Sequence, residues 1–204
     1  METLAFDLGR VIFDFDYDIA LEKIKHRTIV PKEKIIDDLF CKDFAADFEK
    51  GLISTYDFYR KFKKNYIPSI DYNEFVDVWS DIFNPKTQMI DLIERLKPEY
   101  PIYMISNINQ LHFEHLYKNY PQVFALFRDL ILSYKVKSIK PEKEIYENLE
   151  TIAGKESRDI IYVDDRQELI SKARLLNFQC ILFSDYERLL KDLDALGIKI
   201  PDNH

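Results

Sequence analysis

Hydrophobic positions along the chain follow two regimes. In the first, five short apolar runs stand apart: Leu4-Ala-Phe6, Ile102-Tyr-Met-Ile105, Leu130-Ile-Leu132, Ile160-Ile-Tyr-Val163 and Cys180-Ile-Leu-Phe183. They are continuous rather than alternating, the pattern of strands covered on both faces. Between them apolar residues recur at helical spacing, as in Ile90, Ile93 and Leu96, and again in Ile145, Leu149 and Ile152 behind Pro141, a residue suited to a first helical turn. This alternation predicts an α/β domain, a doubly wound, Rossmann-like parallel sheet flanked by helices.

The second regime covers 16–84, where helical periodicity prevails and no comparable strand run occurs. Leu39, Phe40, Phe44 and Phe48 predict one amphipathic helix, Tyr56, Phe58, Tyr59 and Phe62 a second, and Phe75, Val78, Trp79 and Ile82 a third. Gly51 is read as a helix terminator and Pro85 as the re-entry point. The expected division is a core domain of 1–15 and 85–204 carrying an all-helical insert of 16–84.

Composition narrows the chemistry. The 204 residues include 29 Lys plus Arg against 36 Asp plus Glu, a net charge of −7, so the broad positive field that captures a phosphate backbone is missing and nucleic acid is not expected as a partner. Cys41 and Cys180 are the only cysteines, far apart in sequence, which suits a reducing, cytoplasmic setting. No basic-then-apolar leader opens the chain, and no apolar run approaches the ~18 residues of a membrane span, so no membrane association is expected. Gly9, Gly51, Gly154 and Gly197 permit neither a dinucleotide-binding nor a Walker-type glycine loop, and neither HExxH nor GxSxG occurs. No feature bears on oligomeric state.

In open parallel sheets ligands bind beyond the carboxyl ends of the strands. Here the first run ends in Asp7, the second in Ser106-Asn107 and the fourth in Asp164-Asp165, while Lys140-Pro141 follows the third. Three crowded carboxylates take up a proton or recruit a cation. Oxygen ligands without Cys or His favour Mg²⁺, which leaves positions for a substrate phosphate. A carboxylate ionised at neutral pH needs no base, so Asp7 is the candidate nucleophile toward phosphorus. Lys140, the Ser106 hydroxyl and a cation would neutralise the phosphoryl group.

With these residues in place the chain resembles the haloacid dehalogenase superfamily over nearly its full length. Phe-Asp7-Leu-Gly-Arg-Val resembles its first motif, Ile-Ser106-Asn-Ile-Asn its second, Lys140-Pro its third and Val-Asp164-Asp165 its fourth. Ser106, Asn107, Asn109 and His112, with FDLG at the start, are most similar to the bacterial branch that includes glucose-1-phosphate phosphatases. The resemblance implies a magnesium-dependent phosphatase of a small phosphorylated metabolite, with a helical cap over the site. It further implies Asp7 as nucleophile and metal ligand, the Gly9 carbonyl as a second ligand, Ser106 and Asn107 on the phosphoryl group, Lys140 orienting Asp7, and Asp164 and Asp165 completing the metal site. Two departures accompany it. Gly9 stands where most of these phosphatases carry an acid/base Asp, with Asp14 and Asp16 nearby in sequence, and Leu169 stands where relatives place Asp or Asn, with Glu168 adjacent.

Simpler roles compete at each position. Asp7 could cap a turn, Ser106-Asn107 could cap the helix carrying Leu111 and Leu116, and Lys140 stands among Lys135, Lys137 and Lys143. His112 and His115 share a helix face that reads as solvated. Two other functions stay open: 2-haloacid dehalogenation, in which Asp7 attacks carbon without metal, and a catalytically silent binding protein.

Overall fold

The computed structural model describes residues 2–40 and 43–201, without the side chains of 32, 36, 39, 40 and 43. Its strands are β1 (Thr3–Phe6), β2 (Phe13–Phe15), β3 (Phe83–Pro85), β4 (Ile102–Ser106), β5 (Asp129–Leu132), β6 (Ile160–Asp164) and β7 (Gln179–Leu182). Five of them form one parallel sheet in the order β5-β4-β1-β6-β7, with β1 central. The period of two in a strand sends neighbours to opposite faces. Leu4, Phe6, Ile102, Met104, Ile161 and Val163 therefore meet Met89, Leu92, Ile93 and Leu96 of α6 (Thr87–Leu96) and Leu189 and Leu193 of α12 (Tyr186–Ala195). Ala5, Tyr103, Ile105, Ile160 and Tyr162 face the other way, onto Ile145, Tyr146 and Leu149 of α10 (Lys143–Ala153) and Ile170 and Ala173 of α11 (Gln167–Leu175). Burial on both faces is why the runs are continuous. Each large aliphatic or aromatic side chain so removed from water contributes roughly 1.5–3 kcal/mol.

Three further helices, α7 (Gln110–Asn119), α8 (Pro121–Phe124) and α9 (Ser133–Val136), belong to the core. Two details differ from expectation. Helix α10 starts at Lys143, so Pro141 precedes it, joined to Lys140 by a cis peptide bond. Ile152 is exposed and Tyr146 takes its place in the core, because positions 145, 146 and 149 lie closer to the buried face.

The insert holds α1 (Tyr17–Ile24), α2 (Lys32–Phe40), α3 (Asp43–Glu49), α4 (Thr55–Asn65) and α5 (Tyr72–Ser80). Asp16, Ser54 and Asp71 start α1, α4 and α5 by accepting a backbone N–H. Its core is aromatic: Phe48, Phe58, Tyr59, Phe62, Tyr66, Phe75 and Trp79 are all buried. Tyr56 is exposed instead of buried, and Ile82 is buried beyond the end of α5. The helix predicted through Leu39, Phe40, Phe44 and Phe48 corresponds to α2 and α3, and the side chains of Leu39 and Phe40 lie outside the described residues. A feature not foreseen joins insert to core. β2 and β3 pair antiparallel, Asp14 opposite Asn84, and Pro85 is the last residue of that ribbon.

Candidate active site

Each chemistry-bearing residue follows an apolar strand into the same edge. The ladder runs one residue past Phe6, with Asp7 N–H donating to Val163 O at 2.9 Å, and β4 and β6 end in Ser106 and Asp164. Lys140 arrives from the loop before α10 and is 3% exposed. Its ammonium donates to Asp7 Oδ1 at 2.6 Å, Asp164 Oδ2 at 2.7 Å and Ile105 O at 3.1 Å. Burial works against that charge, but Asp7 and Asp164 hold the Lys140 pKa above the ordinary lysine range. Burial is also the main reason Asp7 is raised to about 7; Lys140 pulls it down and Asp164 pushes it up.

Asp164 is fully buried and its oxygens are engaged: Oδ2 also accepts from the Tyr162 hydroxyl, and Oδ1 from Arg166 N–H at 2.9 Å. Asp165 is only half-buried, and its pKa is raised by burial first and then by Asp164. One carboxylate oxygen from each of Asp7, Asp164 and Asp165 lies within 4.8 Å of the others. Three carboxylates against one ammonium leave an excess of negative charge in a set of oxygen donors, which fits a hard divalent cation. Asp165, less committed to protein partners, is the better placed of the pair for direct coordination.

Asn107 holds Lys140 by both ends of its amide: Lys140 N–H donates to Oδ1 at 2.7 Å, and Nδ2 donates to Lys140 O at 3.0 Å. Ser106 is 2% exposed at the tip of β4. Neither residue caps the following helix, a role that falls to Asn109, whose Oδ1 accepts from His112 N–H at 2.9 Å. Lys137 lies elsewhere, donating to Gly51 O at 2.8 Å from an exposed position. His112 corrects the expectation of a solvated face. It is 3% exposed, with Nδ1 3.0 Å from Asn109 Nδ2 and Nε2 3.1 Å from Trp79 O. Burial lowers its pKa to about 4.

No family model matches the chain. The D-ribitol-5-phosphate phosphatase of Bacteroides thetaiotaomicron is 22% identical over 187 residues, 88% of this chain and 90% of that protein. A HAD family enzyme from the same organism superposes with a TM-score of 0.83 at 24% identity, over 93% of this chain and 98% of the other. That enzyme is also known in complex with magnesium and inorganic phosphate, with a TM-score of 0.81. A predicted HAD-like family hydrolase from Porphyromonas gingivalis gives a TM-score of 0.82 at 19% identity over 98% of both chains. The chain has the fold of haloacid dehalogenase (HAD) family enzymes.

Within this HAD fold the four expected motifs converge on one edge, and the departures from the common pattern acquire a structure. A Cβ built on Gly9 would stand 2.9 Å from Phe15 Cε1, so the Phe15 ring, with the Arg10 guanidinium 4.4 Å above its centre, occupies the space into which a side chain at position 9 would grow. Asp14 and Asp16 are committed elsewhere, Asp14 to Lys86 at 3.1 Å and Asp16 to the start of α1. Leu169 is buried in α11, and Glu168 turns out to Arg166 at 2.6 Å. The glucose-1-phosphate branch is not singled out, since the curated relative acts on a pentitol phosphate.

Two participants escaped the sequence reading. Tyr162 sits inside an apolar run and signals only by being the one hydroxyl in it. Ser133, which accepts from Ile108 N–H at 2.9 Å and donates to Glu49 O at 2.7 Å, is an ordinary strand-end serine in sequence.

Proposed function

We propose that this HAD-fold chain is a magnesium-dependent phosphatase of small phosphomonoesters, working through an aspartyl phosphate on Asp7. The observation that carries the reading is the Asp7–Lys140–Asp164 pair of ion bridges with Asp165 beside it, three carboxylates around one ammonium. A metal-free attack on carbon would leave that charge unbalanced, which disfavours dehalogenation. Support also comes from the relative that hydrolyses D-ribitol 5-phosphate and the neighbour that binds magnesium with phosphate; a sugar or polyol phosphate follows as the substrate class.

Asp7, Asp165 and the Gly9 carbonyl would hold Mg²⁺, with Asp164 alongside, and the ion would offset charge on the phosphoryl oxygens. Lys140 fixes Asp7 through Oδ1 and adds its own charge opposite the phosphoryl group. Asn107 acts through Lys140, whose backbone it clamps, and together with Ser106 it lines the phosphoryl side of the site. An Asp7 oxygen forms a bond to phosphorus as the ester P–O bond breaks and the alcohol departs with a proton from solvent. Water then hydrolyses the acyl phosphate, returning Asp7 and releasing phosphate. The insert, 16–84, serves as a cap that selects the alcohol portion.

Phosphate release from a panel of sugar and polyol phosphates tests this. Activity should require Mg²⁺ and fall ~10³-fold or more in Asp7→Asn, because the neutral amide is a poor nucleophile. Equal phosphate release by wild type and Asp7→Asn would overturn the reading, as would a silent wild type across the panel.

A further inference from the structure

We propose that His112 is a positioning residue: its imidazole bridges Trp79 O of the insert and Asn109 of the core, and so fixes the insert against the loop that carries Ser106 and Asn107. The inference rests on the phosphatase reading above and deepens it.

The chain crosses between core and insert twice, after β2 and before β3, and the crossings lie side by side, since Asp16 N–H donates to Ile82 O at 3.0 Å. A body joined through one such ribbon can tilt about it unless a contact off the ribbon holds it. His112, buried on α7, meets both crossings. Its Nε2 lies 3.1 Å from Trp79 O at the end of α5, and its ring packs on Phe83 of β3 at 5.2 Å and on Tyr17 of α1 at 6.0 Å. On the core side Nδ1 lies 3.0 Å from Asn109 Nδ2. Asn109 closes the loop that begins at Ser106 and includes Asn107, whose amide clamps Lys140. The same loop is tied to the insert a second time, through Ser133, which accepts from Ile108 N–H and donates to Glu49 O.

The donors and acceptors close in one arrangement. A carbonyl only accepts, so Nε2 carries the hydrogen and Nδ1 presents a lone pair. Asn109 Oδ1 accepts from His112 N–H at 2.9 Å, which leaves Nδ2 to donate to Nδ1. A charged ring would set an N–H against the amide hydrogens of Nδ2. The amide could turn over to meet it, but Nδ2 would then confront His112 N–H and the cap on α7 would be lost. Burial acts in the same direction, lowering the His112 pKa to about 4. Of the described groups facing the ring, Trp79 O, Asn109 and Phe83 carry no charge, burial keeps the Tyr17 hydroxyl protonated, and His115 one turn along α7 opposes a second positive charge.

Two substitutions separate the bridge from the ring. His112→Gln places a donor near the position of Nε2 and keeps the bond to Trp79 O. His112→Asn places an acceptor near the position of Nδ1, keeps Asn109 satisfied and is too short to reach Trp79 O. Both remove the ring packing equally. With Mg²⁺, KM for a pentitol phosphate should rise about tenfold in His112→Asn and stay within about threefold of wild type in His112→Gln, while competitive inhibition by inorganic phosphate shifts less than about twofold in either. Amide exchange at Asp16 and Ile82 should quicken about tenfold in His112→Asn alone. Equal changes in the two variants would reduce His112 to packing and overturn the assignment, as would inorganic phosphate weakened as much as the pentitol ester. Should the variants fail to fold, nitrogen NMR spectra of the wild-type histidine rings decide, with His112 told from His26, His115 and His204 by its contacts to the Phe83 ring. A neutral ring protonated on Nε2 at neutral pH is expected, and one protonated on Nδ1 or on both nitrogens overturns the bridge. Exchange and spectra need no turnover, so the expected pattern in a protein that releases no phosphate would sink the phosphatase reading and leave the bridge standing. Phosphate release that treats the two variants alike would do the reverse.

Discussion

The sheet edge and the helical insert handle their polar groups in opposite ways. At the edge, Asp7 and Asp164 share one buried ammonium, Asp164 takes two further donors, and Asn107 clamps Lys140 through its backbone. In the insert the core cluster is apolar, aromatic rings packed among aliphatic side chains such as Leu21, Ile24, Ile67 and Ile70, with Phe48 and Phe58 stacked at 4.3 Å and Phe75 and Trp79 at 6.0 Å. One region arrives with its electrostatics prearranged on rigid strands, which lowers the reorganisation needed at the moment of reaction. The other packs an apolar core and keeps ion pairs such as Lys23–Asp81 and Arg27–Glu74 at the surface. On the proposed reading, chemistry belongs to the sheet edge and choice of substrate to the insert.

The sharpest way to break this division is to remove the ammonium. Lys140→Ala leaves Asp7 and Asp164 buried against each other, and loss of one partner from a buried pair costs about 3–5 kcal/mol. Turnover should drop ~10³-fold, since orientation and charge both go. Lys137→Ala, three residues away but outside the site, should change kcat by no more than a few-fold. Steady-state kinetics with urea unfolding of both variants checks the pair; comparable losses in the two would mean that the lysine loop, rather than one ammonium, is what the edge requires.

How much of this could be seen in the sequence follows the range of the interactions. The strands were legible because each buries both faces, a local signature, and Asp7, Ser106 and Asp164 were legible because a polar residue directly after an apolar run marks a strand end. Lys140 was separable from Lys137 by its place before Pro141. The β2–β3 ribbon was not legible, for three residues cannot display a period of two and the partners are about 70 positions apart in a long-range pairing. Nor was His112: its i, i+3 spacing with His115 looks like an exposed face, and only the approach of Trp79 O from α5 explains its burial.

His112 offers a second, smaller way to probe the comparison, at the seam between the two regions. Its neighbours there are Asn109, Trp79 O and the rings of Tyr17 and Phe83, with His115 one turn further along α7. Burial, the first cause, lowers its pKa from 6.5 to about 4, so the folded state favours the neutral ring. Its contribution is therefore complete above pH 6.5 and is lost as the pH falls from 6.5 toward 4. The loss amounts to about 3 kcal/mol. Urea unfolding of wild type and His112→Gln across that range isolates it from other titrating groups. The wild-type curve should fall more steeply by about that amount, and parallel curves would mean that the ring is not held neutral at the seam.

The smallest expected effect concerns the Lys50–Glu142 ion pair, which joins the insert to the core beside Glu49. The two side chains are 22% and 37% exposed, so the pair is screened and is worth no more than about 1 kcal/mol. Glu142 also accepts from Ser138 Oγ and Ile139 N–H, both at 3.1 Å, so it stays ordered without Lys50. The Ser133 and Lys137 bonds to Glu49 and Gly51 persist as well. Lys50→Ala should accordingly raise KM for a polyol phosphate by less than about fivefold and leave kcat nearly unchanged, because the bridge acts on the placement of the insert and not on Asp7. Salt supplies the discriminating control: if the bridge is what matters, raising ionic strength to ~1 M should shrink the difference between wild type and variant, since the Debye length falls to about 3 Å. A variant whose KM rises more than tenfold at every ionic strength would show that Lys50 touches the substrate itself, moving a positive charge into the recognition surface.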